Sequence, residues 1–429
     1  MLQPFNIPPS GQTIAVIGAG VAGLTTAHLL SKKHRVTLYE KNTYLGGHTN
    51  TIVIDRGPDK GLPVDTGFIV YNDQNYPVFI RLLTELGIRG QPSDMSFSFS
   101  SQTPDFEYSS YVPAGLLAQR KNLLNPVFYS MVRDILRFNK QAVKDLQENK
   151  LEGLTLGDYL KKLKMGRPFM NFYLIPMGAA IWSTPLREMF LFPAKSFLRF
   201  FYNHGLLALK GRPLWRTIPK GSHTYVHEIE RRFKGQIRLN AEIESVRRTP
   251  EKVTVREKNS TTQDYDYAVF ATHADQALPL LADASADEKR LLGAWEYTSN
   301  TAVLHTDASA MPRRPSAWAS WNYILESHQT QDSPVSLTYH MNRLQSLQAQ
   351  KDYFVSLNRQ TGIPQEHVYR VIHYTHPKYT PKSLAAQAGL PALNGQQRTF
   401  YCGSYFSYGF HEDAVKSAAA VSAMFGVTL

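Results

Sequence analysis

The stretch "TIAVIGAGVAGLTTAHLL", Thr13 to Leu30, constrains this chain more than any other. Thr13 to Ile17 read as a buried parallel strand and Ala22 to Leu30 as a helix, with Gly18, Gly20 and Gly23 spaced G-x-G-x-x-G at the junction. The first glycine permits a tight turn, the second lets a pyrophosphate approach the backbone, and the third lets helix and strand pack closely. Ala19, Val21 and Ala22 complete the loop, and the helix N-terminus offers N–H groups and a positive dipole end to phosphates. The motif alone is weak evidence. Here a second strand, "RVTLYEK", ends in Glu40, 22 residues after Gly18 and next to Lys41. A carboxylate at that spacing accepts hydrogen bonds from ribose hydroxyls. The expectation is a Rossmann-type α/β unit holding an adenine dinucleotide.

Gly46-Gly47 follows, then His48 and Thr49, then "VDTGFIVYN" with Gly67 and Phe68. At this point the sequence resembles the flavin-containing amine oxidase superfamily, and the resemblance implies FAD. His48 stands where those proteins usually carry an arginine. Residues 235–281 read as strand, strand, turn, strand, strand, and resemble the family's second FAD segment. The resemblance puts Ile243 against the adenine and Ala271 and Thr272 at the following turn. Segments such as "AWASWNY" and "SLTYHMNRLQ" are similar to a bacterial branch often encoded beside cyclopropane-fatty-acid synthases. The fold this implies is α/β, with the FAD-binding domain (1–74, 211–290 and 390–429) interleaved with a mixed α+β substrate domain. That second domain takes a mostly helical part, 75–210, and a strand-rich part, 291–389.

"YCGSYFSYGFHEDAV", residues 401–415, crowds aromatics, glycines and a His-Glu-Asp triplet near the C-terminus. In the superfamily this segment returns to the flavin. The resemblance places Gly403 and Ser404 near the ribityl-pyrophosphate and His411, Glu412, Asp413 and Ala414 at a helix start facing the pyrimidine edge, with the helix running from Ala414 to Met424. First-turn capping is the alternative role for Glu412 and Asp413. Cys402 reads as a small core residue, with a covalent flavin thioether as the alternative.

Charge is unevenly spread. Residues 113–240 carry 22 Lys and Arg against 8 Asp and Glu, a net of +14, while the remainder nets −2. That asymmetry points to an anionic partner, an anionic membrane surface in preference to nucleic acid, for which no recognition motif is present. In "NPVFYSMVRDILRFNKQAVKDLQE", Pro126 suits a first helical turn and Phe128, Val132, Ile135, Leu136 and Val143 recur at helix spacing. Arg133, Arg137, Lys140 and Lys144 fall on another face, which is either simply solvated or turned to a membrane. A single cysteine and scattered histidines without ligand spacing argue against a metal site and for a reducing compartment. With no signal-like N-terminus and no apolar run of membrane-span length, the expected location is cytoplasmic, with peripheral membrane contact as an option.

Trp182, Phe200, Phe201, Tyr202, Trp318, Trp321 and Tyr323 are candidates for an apolar cavity. Many amine oxidases place a lysine near the flavin on the strand after the second FAD segment. Here that strand, "YTSNTAVLHTD", has none, and His305 is its strongly titratable base. His305, His411 and Tyr408 are therefore the candidate catalytic residues. The expected activity is FAD-dependent hydride removal from a lipid-like, unsaturated or methyl-branched acyl chain. The alternatives are an amine oxidase, a fatty-acid double-bond isomerase, and a non-catalytic FAD-binding partner of a lipid methyltransferase.

Overall fold

The computed structural model describes residues 6–111, 115–208, 210–326, 330, 332–359 and 362–429. Its nucleotide half is built on a parallel sheet ordered Gln236–Arg238, Arg35–Tyr39, Thr13–Ile17, Tyr267–Phe270, Thr399–Tyr401. Thr13–Ile17 lies centrally, with Val16 opposite both Leu38 and Val269. Period-two alternation divides this strand between two cores. Ile14 and Val16 join the helices Val21–Leu30 and His411–Met424, while Ala15 and Ile17 face the antiparallel ribbon Ile243–Arg248, Val253–Glu257, Thr262–Tyr265. A strand buried on both faces has no polar alternation to display, which is why "TIAVI" reads as a continuous apolar run.

The other half is a mixed sheet ordered Val368–Pro377, Tyr297–His305, Phe354–Leu357, Leu337–His340, Trp321–Leu325, Phe97–Ser101, Phe106–Ser109. A helical block from Pro126 to Asn203 packs against it in one apolar core. The insert 75–210 is thus less uniformly helical than expected, because Phe97–Ser101 and Phe106–Ser109 form the edge of this sheet. "FSFSS" has the period of a strand, and two of its buried serines are satisfied: Ser98 Oγ donates to Asn322 Oδ1 (2.8 Å) and Ser100 Oγ to Glu107 Oε1 (2.8 Å).

The helix Pro126–Gln147 starts as its sequence suggests, with Pro126 in the first turn and the Asn125 side chain accepting from the Val127 N–H. Its buried line runs through Phe128, Met131, Phe138, Ala142 and Leu146. Leu136, expected on that line, is 50% exposed. One residue turns the helix about 100°, so Leu136 falls beside the exposed Arg137 and Lys140.

Candidate active site

The loop after the first strand shows what its glycines are for. Gly18 has φ +97°, and a Cβ there would meet the Ala271 carbonyl at 3.0 Å. A Cβ on Gly23 would lie 1.8 Å from the Gly18 carbonyl oxygen, so helix and loop meet only through glycine. Above Gly20 the space is open, with nothing within 4 Å of a Cβ. No packing inside the protein demands glycine there, whereas a phosphate approaching the backbone does. Glu40, at the end of the second strand, lies over this loop. Its Oε2 accepts from the Ala19 N–H and its Oε1 from the Asn42 N–H, both at 2.9 Å. Gly46 closes the far side by donating to the Ala19 carbonyl (2.9 Å).

These groups open onto a cavity of about 1290 Å³ that continues into the substrate half. It brings together Gly18, Ala19, Gly20, Val21, Ala22, Glu40, Lys41, Gly46, Gly47, His48, Gly67, Phe68, Ile243, Ala271, Thr272, Gly403, Ser404, Tyr408, His411 and Ala414. Segments far apart in sequence thus share one wall. Gly23, Thr49, Glu412, Asp413 and His305 are outside the lining. Gly23 serves packing, and Thr49 Oγ1 is held against the Tyr225 hydroxyl. Asp413 Oδ2 accepts from the Phe410 and Tyr408 N–H groups (2.9 and 3.1 Å), capping its own helix. Glu412 accepts from the Val78 and Phe79 N–H groups (3.0 and 2.8 Å), capping a different helix, Pro77–Glu85. The two acids expected at the cofactor are capping groups.

His305 is a correction as well. It is fully buried, with Nε2 2.8 Å from Ser356 Oγ and Nδ1 accepting from the Asp307 N–H (3.1 Å). Ala302 lines the cavity, and residues an odd number apart on a strand face opposite ways, so His305 points into the core behind it. The lining histidines are instead His48, His204, His273, His373, His376 and His411, and three of them cluster: His48, His273 in the turn after Tyr267–Phe270, and His376 on Val368–Pro377. The His48 ring lies 5.9 Å from that of His273 and 5.3 Å from that of His376, and it stacks on Tyr374 at 4.9 Å. Asn300 Nδ2 donates to His376 Nδ1 (3.1 Å), which leaves the proton of the neutral ring on Nε2. Burial depresses all three, His48 to about 4 and His273 and His376 to about 3. His411, stacked on Phe68 at 3.6 Å with Nε2 2.8 Å from the Tyr225 hydroxyl, is pushed to about 3 by the same cause. The "IHYTHP" run was the available signal for His376, legible only once a strand is paired against "YTSNTAVLH".

His48 Nε2 is a buried nitrogen without a hydrogen-bond partner among the described residues. With the open space over Gly20, it leaves the wall incomplete in the way a dinucleotide would complete. Cys402 is fully buried beside Thr26 (Sγ to Oγ1, 3.6 Å) and outside the lining, with burial pushing its thiol up to about 12. It is a core residue, not a thiolate poised for a thioether. Of the aromatic candidates, Trp182, Phe200 and Trp321 line the cavity, Phe201, Trp318 and Tyr323 do not, and Tyr202 is 45% exposed.

A solved CLA-producing fatty acid isomerase from P. acnes superposes with a TM-score of 0.67 at 15% identity, covering 97% of this chain and 99% of that one. Cyclohexylamine oxidase from Brevibacterium oxydans IH-35A gives 0.65 at 13% identity, covering 98% and 100%. Among curated relatives, the zeta-carotene desaturase of Solanum lycopersicum is 37% identical over 75 residues, 17% of this chain but only 12% of that enzyme's length. A sequence model for flavin containing amine oxidoreductases matches residues 21–336. That span starts in the helix of the glycine loop and runs on through the strands of the substrate sheet as far as Trp321–Leu325, so the chain belongs to the flavin-containing amine oxidoreductase family and is an FAD-dependent oxidoreductase.

Proposed function

We propose that the chain oxidises a lipid-like substrate, an unsaturated or methyl-branched acyl chain, by removing a hydride and an adjacent proton to leave a new C=C bond. The observation that carries this is the composition of the cavity beyond the nucleotide end. Met177, Ile181, Trp182, Phe200, Leu206 and Trp321 wall it, and the lining carboxylates among the described residues, Glu40, Glu242 and Asp275, all sit at the nucleotide end. A cationic amine would enter that apolar arm without a counter-ion, which is costly in a dry site. An acyl chain gains by burial, about 0.8 kcal/mol for each CH₂.

FAD, when bound, supplies the two-electron acceptor that no side chain can provide. The protein's part is to bind, orient and handle the proton. The apolar walls hold the chain extended and exclude water. A proton leaving the substrate needs a lone pair in the wall, and His48 Nε2, neutral and unpartnered, offers one. His376, its proton on Nε2, is a donor to whatever lies opposite. His411 and Tyr408 complete the candidate set from the C-terminal segment.

A second reading is double-bond migration without net oxidation, favoured by neutral histidines in the wall that can return a proton they have taken. The likeness in fold to a fatty acid isomerase is consistent with it. Anaerobic mixing separates these possibilities. Loss of flavin absorbance on adding unsaturated fatty acids but not amines supports oxidation. Product formed with no oxidant consumed identifies migration, and bleaching by amines alone would overturn both.

A further inference from the structure

The open end of the apolar arm is formed by Arg212, Leu214, Trp215 and Arg216. Arg212 and Leu214 are exposed, Leu214 by 63%, and Arg216 is half-buried on the short strand Trp215–Thr217. Two cations at the rim of an apolar tunnel would ordinarily pair with neighbouring acids. Here the guanidinium contacts are to backbone carbonyls: Arg212 Nε donates to Ala208 O (3.0 Å) and Arg216 Nη1 to Gly90 O (3.3 Å). Among the described residues neither has a carboxylate within ion-pair distance. Asp73, the acid held against this rim, accepts from the Leu214 N–H (3.0 Å) and so fixes the loop. Among the described residues each arginine has most of its five donors without a hydrogen bond.

We infer that this rim is an anion anchor: Arg212 and Arg216 hold the ionised head of an amphiphile whose apolar tail fills the arm. The inference rests on the acyl reading above and narrows it, because a neutral hydrocarbon such as a carotene has no head for the arginines to hold. A planar guanidinium pairs with a carboxylate or phosphate through two parallel N–H···O bonds, which fixes position as well as adding affinity. Fixing the head sets how far along the tail the bond at the cofactor lies, so the rim acts as a ruler for position along the chain. Both a free fatty carboxylate and a phospholipid phosphate share this chemistry.

The test uses FAD-loaded protein and fluorescence of the wall tryptophans Trp182, Trp215 and Trp321. Probes are oleate, methyl oleate and oleylamine below their aggregation concentrations, and phosphatidylglycerol vesicles. Oleate should bind more tightly than its ester or the amine, and added salt should reduce the difference. In Arg212→Gln/Arg216→Gln, with unchanged FAD content and melting temperature, oleate should weaken about ten- to a hundredfold while methyl oleate is unaffected. If vesicles also bind and lose binding in the double variant, the anion is a lipid headgroup. If only oleate does so, it is the free carboxylate. Equal binding of oleate and methyl oleate, with the ester oxidised, would overturn the anchor and leave the acyl reading standing. Failure of every acyl probe, or tightest binding by oleylamine, would overturn both.

Discussion

Glu40 accepts one backbone N–H on each carboxylate oxygen, so a carboxamide in its place would set its own N–H against that of Ala19 or Asn42. Glu40→Gln is accordingly expected to fail like Glu40→Ala. Both should weaken FAD by roughly 1.5–3 kcal/mol, the range of a charged hydrogen bond, as read by titrating apoprotein and following flavin fluorescence. A glutamine variant with native affinity would mean that neither of these contacts of the carboxylate supports the cofactor site. His305 makes the opposite case. With both ring nitrogens engaged in the core, His305→Ala should lower stability by about 1–3 kcal/mol yet leave the rate of flavin reduction by an acyl substrate unchanged. The place of Glu40 over the glycine loop was legible because it depends on local spacing from Gly18. His376 was not, since it reaches the cavity only through the pairing of Thr298 with His376, two residues from opposite ends of the substrate sheet's long inserts.

The C-terminal helix, His411–Met424, does two jobs with adjacent residues. Ala414 lines the cavity, while Glu412 reaches away to cap Pro77–Glu85. Replacing Glu412 by Ala should cost about 0.5–2 kcal/mol, the usual range for a lost cap, in a denaturant titration. Replacing Ala414 by Leu should push the helix from the cofactor. A helix N-terminus favours the more negative, reduced form by up to about 2 kcal/mol, so the two-electron midpoint potential should fall by a few tens of millivolts. A rise, with FAD retained, would place this helix elsewhere. The start of Pro126–Gln147 was written in its first residues, where capping is local chemistry, whereas the start of the C-terminal helix came from the resemblance. The strands at 97–109 were hidden because the strand that joins them to the sheet, Trp321–Leu325, pairs with Phe97–Ser101 from more than two hundred residues later.

Across the whole molecule, buried histidines set an acid limit. His48, His204, His273, His305, His376 and His411 are depressed to about 3 or 4 by burial, against an ordinary value of 6.5. A depressed base stabilises the fold fully above its unfolded value, and that contribution is lost as pH falls towards its folded value. Asp65 and Asp413 act the other way. Burial raises both to about 6, so the penalty on their charged forms lifts as pH drops below that point. The histidines outnumber them, and each uncompensated proton is worth about 1.4 kcal/mol per pH unit. Apoprotein should therefore lose stability steeply between pH 6.5 and 4, measured as the urea midpoint at each pH. A flat profile would mean the rings are hydrated. The parallel sheet carries one last consequence, for the order in which the protein is made. The glycine loop leaves the ribosome early, but the strand Thr399–Tyr401 and the helix that completes the cavity wall leave long after it. Nascent chains fold from the N-terminus as they emerge, yet this one cannot close around its cofactor until the helix His411–Met424 has emerged. Ribosome-bound chains stopped before Thr399 should retain no flavin, and chains long enough to expose the helix His411–Met424 should turn yellow.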